Sequence, residues 1–162
     1  MLVGALILTT LTGCATTAET RACPLIATPK GIGINVAAAI AERVDSAEMA
    51  VCWDGSCRTR PVTLRPSSRT IDDGCTGSGP DAVCVAQDEA TGEKAGFADV
   101  PDLPSRPVEV TVTLTDSAGT RIVDQTLMLD PKMVEPPGGD CGGNRPQGRI
   151  AVDADGTARS IG

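Results

Sequence analysis

Seven cysteines and no histidine set the limits of the chemistry open to this chain of 162 residues. Without histidine, the ordinary triad and imidazole proton shuttling are excluded. Zinc sites lose the usual partner of thiolate for the same reason. There is no Cys-x-x-Cys, hence no dithiol redox motif of the usual spacing. Ser–Lys catalysis would have to draw on Lys30, Lys94 or Lys132, none of which sits in a recognisable motif. Carboxylates are numerous enough for the acid pair of a glycosidase. Sugar sites, however, normally stack rings on aromatic side chains, and Trp53 and Phe97 are the only two here. Asp153-Ala154-Asp155-Gly156 is half of a calcium loop, lacking the third Asp or Asn and the distal Glu; it reads as a hairpin turn. No catalytic residue, metal ligand or cofactor is assigned, and the chain is expected not to be an enzyme.

Two groups of residues are candidates for interaction instead. Trp53, beside an Asp-Gly turn, is either an exposed anchor for a partner or a cap on a core short of aromatics. Arg58 and Arg60 follow it, and with Arg65 and Arg69 they lie in a stretch free of acids. Asp72, Asp73, Asp81, Asp88, Glu89, Glu93, Asp99 and Asp102 come next with a single lysine, Lys94. This polarity reads as solvated faces, or as a bipolar surface for a charged envelope protein or wall polymer. The net charge of −7 argues against a nucleic-acid partner.

Residues 2–12, LVGALILTTLT, are uncharged. They are too few to span a bilayer core, which needs about 20 residues. Such a run followed by small residues reads as the apolar region of a secretory signal. The basic segment that ordinarily precedes it is expected upstream of Met1. Leu11-Thr12-Gly13-Cys14 resembles a bacterial lipobox: an aliphatic residue, two small residues, then cysteine. That resemblance implies cleavage after Gly13, thioether lipidation of Cys14 and acylation of the new N-terminus. Two or more acyl chains anchor stably, each buried CH₂ contributing about 0.8 kcal/mol. The expected organisation is a lipoprotein signal peptide over 1–13, a lipidated tether over 14–22 and one domain over 23–162. The domain is then held on the extracytoplasmic face of the cell membrane. The excess of Arg over Lys, with abundant Ala, Gly, Thr, Pro and Asp, resembles coding in a GC-rich, actinobacterial genome.

Setting Cys14 aside leaves Cys23, Cys52, Cys57, Cys75, Cys84 and Cys141. An even set in an exported chain reads as three disulfides. Cys52-Trp53-Asp54-Gly55-Ser56-Cys57 centres on Asp-Gly, the strongest two-residue hairpin signal. Cys52 and Cys57 then face each other as a non-hydrogen-bonded pair, with Cα atoms about 4.5 Å apart, inside bridging range. Cys75 and Cys84 flank a Gly-Ser-Pro loop and are expected to pair. Cys23 and Cys141 remain, and would join the two ends of the domain.

The elements that must hold these residues are strands. Ile32, Ile34 and Val36 alternate with small or polar residues. Ala37–Val44 is helical by propensity, with Val36, Ile40 and Val44 at i, i+4, i+8, and is expected as a helical turn or loop. Ala47, Met49, Val51 and Trp53 alternate into the Asp-Gly turn, and the return strand covers about 57–64. This register sets Met49 against Arg60 and Val51 against Arg58. Either the arginine stems pack while their heads reach water, or a bulge shifts the register. Residues 65–81 are rich in Ser, Asp, Gly and Pro and read as loop, followed by a hairpin of 82–87 and 93–100 about Ala90-Thr91-Gly92. Val108, Val110, Val112 and Leu114 alternate with Glu and Thr, and the turn 116–119 leads to a partner strand with Val123, Leu127 and Leu129. Residues 148–152 and 157–161 close the chain as a hairpin.

About seven to nine short antiparallel strands, with a turn signal every 8–12 residues, predict an all-β, disulfide-stapled β-sandwich. The stretch GFADVPDLPSRPVEVTVTLTDSAG (96–119) resembles immunoglobulin-like or transthyretin-like domains of secreted bacterial proteins. Lipidation, disulfides and the lack of catalytic residues together predict a non-enzymatic binding or structural module of the cell envelope. The alternatives are an accessory subunit that binds a small ligand or wall polymer, and a carboxylate-dependent hydrolase.

Overall fold

Alternation of aliphatic and polar residues builds nearly every element that packs. A computed structural model describes residues 28–136 and 143–162. Cys14, Cys23 and Cys141, and with them the expected lipidation site and the expected third disulfide, lie outside the described residues. Among these, ten strands form two sheets: β1 (Gly31–Val36), β2 (Ser46–Trp53), β3 (Ser56–Val62), β4 (Arg65–Thr76), β5 (Val83–Asp99), β6 (Val108–Thr115), β7 (Arg121–Leu129), β8 (Lys132–Val134), β9 (Arg145–Val152) and β10 (Ala158–Ser160). One sheet has the order β10-β9-β1-β5-β4, with β8 also on β9; the other has the order β3-β2-β6-β7. The fold is an all-β sandwich.

Inward residues recur at every second position. Ile32, Ile34 and Val36 of β1 meet Met49 and Val51 of β2 and Val108, Val110, Val112 and Leu114 of β6 in one buried cluster. No polar or charged side chain among the described residues is buried. On the solvent face of β6 and β7, the Thr111 and Thr126 hydroxyls meet at 2.8 Å, a cross-strand pairing typical of an exposed sheet face. The helical signal at Ala37–Val44 yields a single turn, α1 (Ala38–Ala41). It seats Ile40, Ala41 and Val44 in the core, and Lys94 Nζ donates to the Val44 carbonyl at 2.8 Å.

The sequence-based count of seven to nine short antiparallel strands falls short in three ways. There are ten strands, β5 is 17 residues long, and β1 pairs with β9 in parallel. The larger difference concerns 65–100. Residues 65–76, read as loop, are strand β4, and no turn interrupts 83–99 at Ala90-Thr91-Gly92. The Gly-containing triplet is instead a bulge: Pro66 pairs with Lys94, and Ser68 pairs with Ala90. Thr91 fills the gap, its hydroxyl donating to the Ser67 carbonyl at 3.2 Å and accepting the Glu93 N–H at 3.3 Å.

The terminal hairpin turns as expected. Gly156 N–H donates to the Asp153 carbonyl, and Asp153 N–H to that of Thr157. The Asp153 carboxylate accepts two guanidinium bonds from Arg159 at 2.8 and 3.2 Å. Asp155 accepts the Thr157 N–H at 2.8 Å, and hydrogen bonds from the backbone and hydroxyl of Thr157 hold its carboxyl below the usual range. Because the folded value is depressed, the stabilisation is present above the unfolded carboxylate range and is lost as pH falls through the folded value. A carboxyl-detected NMR titration should give Asp155 a lower midpoint than unbonded aspartates.

Two glycines allow the sheets to close. A Cβ on Gly96 of β5 would lie 2.6 Å from Val62 Cγ1 and 2.9 Å from the Thr63 carbonyl oxygen. One on Gly148 of β9 would lie 2.3 Å from Leu129 Cδ2. The Gly96 contact includes backbone, which cannot swing aside. Gly96→Ala should therefore destabilise the domain by about 1–3 kcal/mol, read as a fall in the chemical-denaturation midpoint.

Candidate functional site

Strands β4 and β5 leave the body of the sandwich together. Lys94–Asp99 of β5 pair with Val36–Gly31 of β1. The rest of β5 pairs with β4 alone. Past Val36, where β1 ends, the two strands continue as a two-stranded arm. Its residues are exposed from Ser68 to Asp81 and from Val83 to Ala90. Eight residues at about 3.3 Å each carry β5 roughly 25 Å from Ala90 to Val83.

An isolated hairpin is marginal in water, so local devices must hold this one. The Cys75–Cys84 disulfide closes its outer end with Cα atoms 3.9 Å apart. Arg69 Nε and Nη2 donate to Glu89 Oε2 at 2.8 and 2.5 Å. The Thr70 hydroxyl donates to Asp88 at 3.0 Å, and the Gln87 amide donates to Asp73.

Strand alternation, reset on β4 by a bulge between Asp72 and Cys75, divides the arm into two faces. One carries the disulfide with Thr70, Asp72, Ala86 and Asp88. The other carries Arg69 and Glu89, then Ile71, Gln87 and Asp73, then Val85 and Val83. The apolar members of this second face stand in solvent, at 39% exposure for Ile71, 49% for Val85 and 64% for Val83. From Ser67 to Ala90 there is one cation, Arg69, against Asp72, Asp73, Asp81, Asp88 and Glu89. The outer edge of β4 is not paired with any other described strand. The arm thus offers an open strand edge, an apolar stripe and excess negative charge.

The arm was not legible as a single element, although symmetric signals were present. Cys75 and Cys84 bracket the Gly79-Pro80 turn, and Arg69 and Glu89 stand almost equally far from it on either side. Val83 and Val85 alternate with Cys84 and Ala86, as a strand requires.

The residues singled out from sequence, Trp53, Arg58 and Arg60, are brought together at the other end of the sandwich. Asp54 at φ 50° and Gly55 at φ 73° make the two-residue turn. The Cys52–Cys57 disulfide spans facing residues with Cα atoms 4.0 Å apart. The β2–β3 ladder runs unbroken from Ala47–Val62 to Trp53–Ser56, with no bulge. Of the two alternatives for the arginines, packed stems is the one found. The Arg58 guanidinium lies 5.4 Å from the Trp53 ring centroid and its Nε donates to Asp102 at 3.2 Å. Arg60 Nε donates to the Asp99 carbonyl at 3.1 Å, and Arg106 pairs with Asp54. Trp53 is half-buried and packs against the core. These cations are engaged by the chain's own acceptors, and Trp53 caps the sandwich.

A third feature lies on the outer face of the first sheet. Phe97 is 36% exposed there, over the position where a Gly31 Cβ would stand. A shallow groove beside it is lined by Thr63, Arg65, Pro66 and Ala95. Among the described residues no group of three His, Cys, Asp or Glu side chains could hold a metal ion. No helix there is long and apolar enough to cross a membrane.

Two measurements check these assignments. The protein has one tryptophan, so Arg58→Ala should red-shift its emission and cost about 0.5–1 kcal/mol of stability. Replacing Cys75 and Cys84 together by Ser should open 67–91 to limited proteolysis while leaving the melting of the body nearly unchanged.

No protein-family model, curated protein or solved structure matches this chain.

Proposed function

We propose that this chain is a lipid-anchored, extracytoplasmic and non-enzymatic binding module of the cell envelope, which uses the β4–β5 arm to dock a protein partner. The arm's position relative to the chain's route into the sandwich carries this reading. Thr28–Lys30 lead into β1 at Gly31, the end of the strand that pairs with Asp99, and the arm continues past Val36 at the opposite end. A lipid on Cys14 tethers the chain at the first end and leaves the arm free at the other. The exposed stripe of Ile71, Val85 and Val83 supplies apolar contact, and the unpaired β4 edge supplies backbone donors and acceptors for an added strand. The lipobox-like Leu11-Thr12-Gly13-Cys14 and two disulfides accord with an exported, anchored chain. The lack of histidine and of buried ionisable side chains among the described residues favours binding over catalysis.

A second reading rests on Phe97. Its exposed ring beside Arg65 and Thr63 fits an anionic wall polymer, the ring stacking on a sugar and the guanidinium meeting a carboxylate or phosphate. In that case Phe97→Ala and Arg65→Ala would each weaken retention on isolated wall polymer, and arm variants would not.

Mass spectrometry of membranes should find Cys14 as a diacylated or triacylated N-terminus; an unmodified chain confined to the cytosol overturns the anchor. A photo-crosslinking residue at Val85 should yield discrete adducts in intact cells, and the same residue at Thr113 should not. Equal yields at the two positions overturn the docking role of the arm.

A further inference from the structure

We infer that the partner of the arm is a second copy of this chain, joined edge to edge through β4 about a two-fold axis at Ile71. The inference rests on the docking role of the arm and adds the identity of what it docks.

The pentad Arg69-Thr70-Ile71-Asp72-Asp73 is complementary to itself when two copies run antiparallel. Ile71 then faces Ile71 of the second copy. Arg69 faces Asp73 on both sides of the axis, and Thr70 faces Asp72, a hydroxyl donor against a carboxylate. Alternation sets Arg69 and Ile71 on one face of the arm, and Asp73, at the start of the bulge before Cys75, is held on the same face by Gln87: Arg69 bonds Glu89 and Asp73 accepts from Gln87, and both partners lie on the same side of β5. The ion pairs of a dimer therefore flank the isoleucine contact on the same face, beside Val85 of each copy. A parallel, in-register arrangement would set Arg69 against Arg69 and Asp73 against Asp73, which like-charge repulsion disfavours. The charges on β4 thus select one orientation and one register, as an isologous contact requires.

Geometry permits the contact. The β4 edge from Ser68 to Asp73 is free of other described strands and is exposed. The arm clears the sandwich, so two bodies joined this way sit at opposite ends of a continuous four-stranded ribbon. The roughly 14 residues from Cys14 to Thr28 reach up to about 45 Å, enough for both anchors to enter one bilayer with the dimer lying along it.

Charge exchange tests this. Full-length chain is purified in detergent in two forms carrying different affinity tags, and capture of one by the other is measured across a concentration series. Wild-type chains should capture each other. Arg69→Asp alone sets acid against acid and Asp73→Arg alone sets arginine against arginine, so each should self-capture about tenfold more weakly. The two single variants mixed together restore Arg–Asp at both positions and should capture each other as wild type does. The double exchange, Arg69→Asp with Asp73→Arg, should self-capture likewise. Rescue by mixing separates lost complementarity from a misfolded arm, and an intact Cys75–Cys84 bridge by mass confirms the arm in each variant. Absence of wild-type self-capture, undiminished self-capture by the single variants, or a mixed pair no better than the singles each overturns the inference. If wild-type chains do not associate but the Val85 crosslinker still traps a different protein, the arm docks a foreign partner and only the second-copy identity falls. If neither is seen, the docking role falls with it.

Discussion

The approach of the two sheets governs the rest of this structure. The chain has one Trp and one Phe, and neither fills the interior: Trp53 sits at one end and Phe97 faces outward. The core must be made from Ile, Val, Leu, Met and Ala, whose short side chains fill less depth than aromatic rings. Sheets packed on such residues have to come close, or they leave voids that cost stability. Gly96 and Gly148 meet this requirement by leaving out a Cβ where Val62, Thr63 and Leu129 press in. The closeness of the layers also explains why no charged group is buried among the described residues. There is no room for the network of partners that a buried charge needs.

Where one face of a strand is buried, period-two alternation is strong, and those strands were legible. β1, β2 and β6 follow Ile32-Ile34-Val36, Met49-Val51-Trp53 and Val108 to Leu114 nearly to their ends. The Asp54-Gly55 turn fixed the β2–β3 register and therefore the Cys52–Cys57 bridge, since facing positions follow directly from a two-residue loop. The arm was illegible for the converse reason. A ribbon wet on both faces has no reason to alternate apolar with polar, so Ser67 to Thr76 resembles a loop in composition. The bulge at Thr91-Gly92 has the same composition as a turn, and only the pairing of Ser68 with Ala90 separates the two. The parallel match of β9 to β1 was beyond reach too, because strand neighbours far apart in sequence leave no local mark.

The candidate sites divide in the same way. The cluster Trp53, Arg58, Arg60 was found from residue type, and its inward use was decided by strand orientation. Even positions of β3 from Ser56 to Val62 face the core side, so the two arginines run their stems along the edge of the sandwich and end on Asp102 and the Asp99 carbonyl. The acidic stretch that follows became a surface feature only once β4 and β5 were seen to pair. Asp72, Asp73, Asp88 and Glu89 are then distributed along both faces of one projection, while Asp99 and Asp102 stay on the body at its other end.

β5 is one uninterrupted strand from the disulfide-closed end of the arm to the floor of the sandwich, and β1 lies beside it in the opposite direction. The N-terminal lead and the arm depart from opposite ends of that pair. A load applied between that lead and the arm would therefore pull β1 and β5 along their own lengths in opposite senses. Under that load the six residue pairs from Gly31–Asp99 to Val36–Lys94 resist in shear together, whereas a hairpin pulled apart from one end gives way one bond at a time. The strand order thus sets the line from the N-terminal lead to the arm along a ladder loaded in shear.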